Sequence, residues 1–146
     1  MVEVSPDLQT IFINGPEDPR PSPNPTQIRL YHHHICPFSE KVRNAFAAKN
    51  IPFQGVEIDL SKKPQWHVDL CGTVPIVELT DGTIINDSKQ IMDYLETTFP
   101  TSGYHILPEE PERVDLLRNT VPLAENVFKT WYPIQARRDY DEAEFK

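Results

Sequence analysis

The residues best suited to chemistry sit in one short run, HHHICPFSEK, at positions 32–41. Cys36 is followed directly by Pro37 and preceded by His32, His33, His34 and Ile35. Such a run can bind a metal, bury an inert thiol or present a reactive one. The residues IRLYH before it read as a strand, and Phe38, Val42, Ala45 and Phe46 after it fall on one face of a helix. Pro37 then takes the favoured first helical position. The sulfur is thereby placed at a helix N-terminus, where backbone N–H groups and the positive end of the dipole favour a thiolate. Helix N-termini lower a thiol pKa from about 8.5 to roughly 3.5–7.5. A drop of about 3 units is worth about 4 kcal/mol and makes the thiolate dominant. Cys36 is therefore read as a nucleophile.

Ser39 stands where a dithiol redox site would carry a second cysteine. The chemistry implied is monothiol: a mixed disulfide formed with, and released by, an outside thiol. His32, His33 and His34 alternate sides if they continue the strand, so they cannot all reach one metal and none is expected. One of them can polarise Cys36; otherwise they are strand and loop residues. Cys71 is either a buried thiol or a second redox partner for Cys36.

Two further stretches bear on binding. In TVPIVEL, Pro75 opens a strand in which it cannot donate to the ladder. A cis Val74–Pro75 bond resolves this and leaves the Val74 backbone to pair with an extended peptide ligand. In NDSKQ, Asp87 and Ser88 begin a helix with Gln90 in capping-box register. That N-terminus suits a carboxylate, although capping alone also explains Asp87.

The elements that must position these residues follow from pattern. GVEIDL alternates as a strand, SKKPQWHVDL is a short irregular helix, and PIVEL and TII are strands joined at Asp81–Gly82. DSKQIMDYLETTF is a helix with Ile91, Met92 and Leu95 on one face. The order β-α-β-α-β-β-α gives a parallel pair and an antiparallel edge, a thioredoxin-like α/β layout. Residues 1–27 form an extension that ends in PEDPRPSPNPT, whose five prolines predict a stiff, passive leader. The domain is expected over 28–99, a proline-rich linker over 100–111 and a partial helical domain over 112–146. In that last segment Val114, Leu117, Val121, Ala124 and Phe128 share a face, Pro122 is expected to kink the helix, and RRDYDEAEFK begins another.

The 146 residues suffice for one well-cored domain, and 38% hydrophobic content is that of a folded protein. A net charge of -8 argues against a nucleic-acid partner. No stretch reaches the roughly 20 apolar residues of a membrane span. The N-terminus carries Glu3, Asp7, Glu17 and Asp18 against Arg20 and has no apolar signal core. With only two cysteines in the chain, a reducing, cytoplasmic setting is expected.

Taken in order, CPFSEKVR, KNIPF, LSKKPQW, GTVPIVEL and NDSKQIMDYLE resemble the glutathione transferase superfamily over about residues 28–130. Within it the chain is similar to the omega class and to plant-type dehydroascorbate reductases. The Asp-Ser pair, CPFS and KPQW lean toward the reductases, and TSGYHILPEEPERVDLLR leans toward omega. The resemblance implies a thioredoxin-like, glutathione-binding domain and then an all-helical domain, of which this chain carries the start. By motif, Cys36 forms a mixed disulfide with glutathione, and Phe38 lies beside it. Lys63 neighbours the glycyl carboxylate. Val74, ahead of cis Pro75, pairs with the cysteinyl backbone. Asp87 and Ser88 hold the γ-glutamyl end. The implied activity is thiol transfer or dehydroascorbate reduction with glutathione as co-substrate and no metal. The partners would be glutathione and a small oxidised substrate: dehydroascorbate, a disulfide or a glutathionylated thiol. Superfamily members pair as homodimers, whereas the plant-type reductases are monomeric. The intracellular chloride channel proteins also carry C-P-F-S on this fold, but the charged run SEKVRNAFAAKN counts against membrane insertion. A non-catalytic glutathione-binding protein is the other alternative.

Overall fold

The computed structural model describes residues 10–136, without the side chains of 125, 128, 129 and 131–136. The proposed final helix in RRDYDEAEFK and the side chain of Phe128 lie outside the described residues. The chain divides into two units at Ile106/Leu107.

The first unit holds a mixed sheet built from β1 (Ile11–Ile13), β2 (Ile28–His32), β3 (Phe53–Ile58), β4 (Ile76–Glu78) and β5 (Ile84–Asn86). Spatial order is β1-β3-β2-β4-β5. Helix α1 (Pro37–Ala48) carries the chain from β2 to the parallel β3. Helices α2 (Gln65–Leu70) and α3 (Ser88–Thr98) follow β3 and β5. The thioredoxin-like expectation holds, including the antiparallel β4–β5 hairpin. Gly82 takes φ 86° at the end of its turn, a conformation that favours glycine over any residue with a Cβ.

Strand alternation sorts the core onto two faces. Leu30 and Val77 point to one, where Val42, Phe46, Ile91 and Leu95 of α1 and α3 cover them. Tyr31, Val56, Ile58 and Ile76 point to the other, packed with Ile13, Trp66 and Leu70. Each such side chain contributes about 1.5–3 kcal/mol on full burial. Apolar side chains therefore stand on both faces of β2 and β4.

The passive-leader expectation is corrected. Ile11–Ile13 forms a strand parallel to β3, and Ile13 is buried. Proline removes N–H donors but leaves carbonyl acceptors. Arg29, itself buried, donates to the carbonyls of Pro21 (3.2 Å) and Ser22 (2.5 Å) and to Gln54 Oε1. Trp66 Nε1 donates to the Asp18 carbonyl at 2.8 Å. Buried Glu78 closes the network, accepting from Arg20, Arg29 and the Tyr31 hydroxyl at 2.8, 3.2 and 2.6 Å.

The expected linker also begins inside the first unit. Gly103 lies at φ 59°, so close to α1 that a Cβ would collide with the Ala48 carbonyl. Tyr104 N–H and Ser102 Oγ donate to the Ala48 and Lys49 carbonyls. The fully buried Lys49 ammonium pairs with Glu96 at 2.8 Å. Burial by itself raises the Glu96 carboxyl, but Lys49, the Ile106 N–H and His105 outweigh it and hold the group at about 2.

The second unit contains α4 (Pro111–Ala136), which runs through Pro122 without a break. Pro122 therefore does not end the helix. No helix among the described residues is long and apolar enough to cross a membrane.

Removing Glu78 leaves the Arg29 charge buried without its carboxylate. Glu78→Ala is expected to cost about 3–5 kcal/mol in urea unfolding. A loss below about 1 kcal/mol, the scale of an exposed pair, would contradict the network's role.

Candidate active site

Strand register brings the chemistry to one end of the sheet. β2 and β4 are antiparallel with Tyr31 opposite Ile76, so the segment leaving β2 lies beside the segment entering β4. Ile76 also pairs with Asn86, so the residues after β5 reach the same end. β3 is parallel to β2 with Glu57 opposite His32, which brings its exit there as well. Cys36, Val74–Pro75, Asp87–Ser88 and the loop bearing Lys63 thus share one edge despite their separation in sequence.

Cys36 is the N-cap of α1, in extended conformation, with Pro37 beginning the helix. Its carbonyl accepts the first helical bond from Glu40 N–H, and its own N–H donates to the His33 carbonyl at 3.1 Å. The sulfur is largely buried and lies 3.8 Å from the Val74 carbonyl, its weak donor contact. Ser39 is fully buried, and its Oγ accepts from His33 N–H. The residue that replaces a resolving cysteine therefore helps hold the turn carrying the nucleophile. Phe38 lies in the first helical turn, with Lys41 Nζ 5.4 Å from its ring centroid.

The Val74–Pro75 bond is cis. The loop before it is held from behind. Lys63 Nζ donates to the Gly72 carbonyl at 2.7 Å, and His67 Nε2 lies 3.1 Å from the Thr73 carbonyl. Cys71 is half-buried, its sulfur 3.3 Å from Thr73 Oγ1, and both cysteines are free thiols. Asp87 caps α3, its Oδ1 accepting from Lys89 and Gln90 N–H at 3.0 and 3.1 Å. Its φ of 82° is unusual outside glycine, and Ser88 beside it is buried.

Two supports were not identified from sequence. His67 is fully buried and its Nδ1 has no protein partner among the described residues. A proton on Nε2, donated to Thr73, accounts for this with a neutral ring. The other support is a charged cluster around the cysteine turn. Glu57 meets His32 Nδ1 at 3.1 Å and His34 Nδ1 at 2.5 Å. Burial raises the Glu57 carboxyl, but hydrogen bonds from the His34 ring and backbone outweigh it and lower it. Arg43, paired with Glu40, donates to the carbonyls of His33 and His34. Arg43 lies seven positions after Cys36, two helical turns on, which is the one sequence signal that it could reach back to this turn.

Residues 30–103 match the family of the glutathione S-transferase N-terminal domain. The chain belongs to the glutathione S-transferase superfamily. Its relatives include the "Probable glutathione transferase omega-2" of Caenorhabditis briggsae, 36% identical over 105 residues, 69% of this chain and 40% of that protein. The Arabidopsis thaliana "Glutathione S-transferase DHAR2" is 38% identical over 76 residues, 51% of this chain and 35% of that protein. Among solved structures, glutathione transferase Omega 1C of Trametes versicolor matches with a TM-score of 0.61 at 25% identity, covering 73% of this chain and 50% of that one. The chain thus spans well under half the length of the curated relatives it matches. Glutathione is the ligand for which this superfamily of transferases is named.

His67 supplies a pH test of the cis-proline loop. Burial pushes its pKa down, the Thr73 carbonyl opposes this, and the Lys63 charge adds to it. A base lowered in the folded state binds its proton more readily when unfolded. Its stabilisation is therefore present above about pH 6.5 and lost as pH falls below it. The melting temperature should drop between about pH 7 and 5. His67→Gln keeps a donor for Thr73 without a titrating ring, and should give a shallower drop. Equal slopes in both proteins would contradict the neutral, buried role.

Proposed function

We propose that this chain is a glutathione-dependent thiol transferase of omega or dehydroascorbate reductase type, with Cys36 as its nucleophile. The observation that carries this reading is the Cys36 sulfur at the N-cap of α1, 3.8 Å from the carbonyl preceding cis Pro75. This geometry supports a reading in which an extended tripeptide adds as a strand along the Val74 backbone, beside the monothiol.

The remaining roles follow from position. The Val74 backbone pairs with the cysteinyl unit of glutathione. Asp87 and Ser88 receive the γ-glutamyl end at the N-terminus of α3, where the positive end of the helix dipole favours a carboxylate. Lys63, now on the Gly72 carbonyl, offers its ammonium to the glycyl carboxylate. Phe38 flanks the thiol on the first helical turn. Val74 and Cys36 are in contact, whereas the other pairings depend on the ligand.

In the first half-reaction, the ionised Cys36 sulfur attacks the glutathionyl sulfur of a mixed disulfide. A Cys36–S–SG bond forms and the substrate leaves as a thiolate, which then takes a proton. A second glutathione thiolate attacks the same glutathionyl sulfur, releasing Cys36 and oxidised glutathione. With dehydroascorbate, two glutathiones lose two electrons and two protons in total, and the substrate gains them as ascorbate. The helix N-terminus favours negative charge on Cys36 in both attack and departure. Two free cysteines among the described residues suit the reducing, cytoplasmic setting of such a reaction.

Glutathione-dependent reduction of dehydroascorbate by the 146-residue chain, followed by ascorbate absorbance, tests this reading. Turnover should fall to the uncatalysed background in Cys36→Ser. Turnover retained in that variant would exclude Cys36 as the nucleophile.

A further inference from the structure

The alternation that separates consecutive histidines applies only within a strand, and β2 ends at His32. The chain then turns, closed by Cys36 N–H on the His33 carbonyl. As a result the His33 and His34 rings stack, centroids 4.5 Å apart and planes 21° from parallel. Potential ligand atoms of His33, His34 and Glu57 all lie within 4.8 Å of one another. Tetrahedral zinc, with bonds of about 2.0–2.2 Å, holds its ligand atoms roughly 3.4 Å apart, so small side-chain rotations suffice. His34 is exposed and able to make them.

The surroundings suit a cation. The Glu57 carboxylate is largely buried, and its second oxygen lies 3.1 Å from His32 Nδ1, a nitrogen that also accepts from Arg43 at 3.1 Å. Arg43 is the nearby opposing charge. It is paired with Glu40, donates to the turn's carbonyls and to His32 Nδ1 at 3.1 Å, and so braces the backbone that presents both imidazoles. Two imidazoles and a carboxylate form a borderline donor set that favours zinc, copper or nickel over magnesium or calcium.

We propose that His33, His34 and Glu57 form a binding site for a late first-row divalent metal ion, such as zinc(II), on the turn that leads into Cys36. Three protein ligands leave a fourth coordination position for water or another small donor. Because Cys36 N–H bonds the His33 carbonyl, metal on His33 would also stiffen the turn that carries the thiol. The site does not require Cys36 as a ligand and stands apart from the thiol-transfer reading.

The test is titration of the full chain with zinc(II) against a chromophoric chelator, for wild type, Cys36→Ser, His33→Gln, His34→Gln and Glu57→Gln. Circular dichroism of each variant confirms folding. Wild type and Cys36→Ser should bind one zinc with the same affinity. His33→Gln at a half-buried turn position and His34→Gln at an exposed one should each weaken binding by at least about tenfold, the scale seen even for loss of an outer-shell partner. Unchanged affinity in both histidine variants would overturn the proposal, as would the absence of binding in wild type. Loss of binding in Cys36→Ser would overturn it too, because the metal would then sit on the thiol.

Discussion

The antiparallel pairing of β4 with β2, Tyr31 opposite Ile76, is the constraint on which the candidate site depends. It sets the Val74 carbonyl, ahead of cis Pro75, against the thiol across 38 positions of sequence. The same pairing alternates Leu30 and Tyr31 between two apolar faces, so register and core reinforce one another. A one-residue slip would turn both residues to the wrong face and separate Val74 from Cys36. The hydrophobic core therefore maintains a sulfur–carbonyl distance that the weak contact itself could not.

Two charged pairs attach the segments that flank the sheet. Arg29 and Glu78 anchor the proline-rich leader, and Lys49 with Glu96 fastens residues 100–106 to the end of α1. Each charge is neutralised where it is buried, and its remaining hydrogen-bonding capacity goes largely to backbone carbonyls or N–H groups. Such groups stabilise less than their Coulomb attraction suggests, yet removing one partner is costly. They specify where irregular chain, with few apolar contacts of its own, must lie.

The sequence pattern identified the main elements because their periodicity is strong. The α1 face, the β4–β5 hairpin and the Asp87 cap were all readable from residue types, and the capping oxygen bonds the expected N–H groups. β1 was missed because its three residues, Ile11–Ile13, stand beside a run of prolines that dominates the local composition. The run was judged by the donors it lacks, whereas Arg29 uses the acceptors it keeps. A kink is expected at Pro122, and α4 continues through it, since a long helix tolerates the loss of one backbone bond. The Val74–Pro75 bond is cis, as its position at the strand start suggests, and the Val74 carbonyl lies 3.8 Å from the Cys36 sulfur. The bracing roles of His67, Glu57 and Arg43 were not visible, since each depends on contacts set by strand register or by a helix end. Alternation separates the three histidines only if they continue the strand, and β2 ends at His32, as IRLYH reads.

The central claim, that the sulfur at the α1 N-cap is the one that exchanges with glutathione, has a direct measurement. The chain is incubated with oxidised glutathione, and intact mass with peptide mapping then locates the adduct. A single glutathionyl group on Cys36, absent in Cys36→Ser and retained in Cys71→Ser, is the predicted result. An adduct that persists in Cys36→Ser, or that maps to Cys71, would contradict the account and place the exchanging thiol at the end of α2.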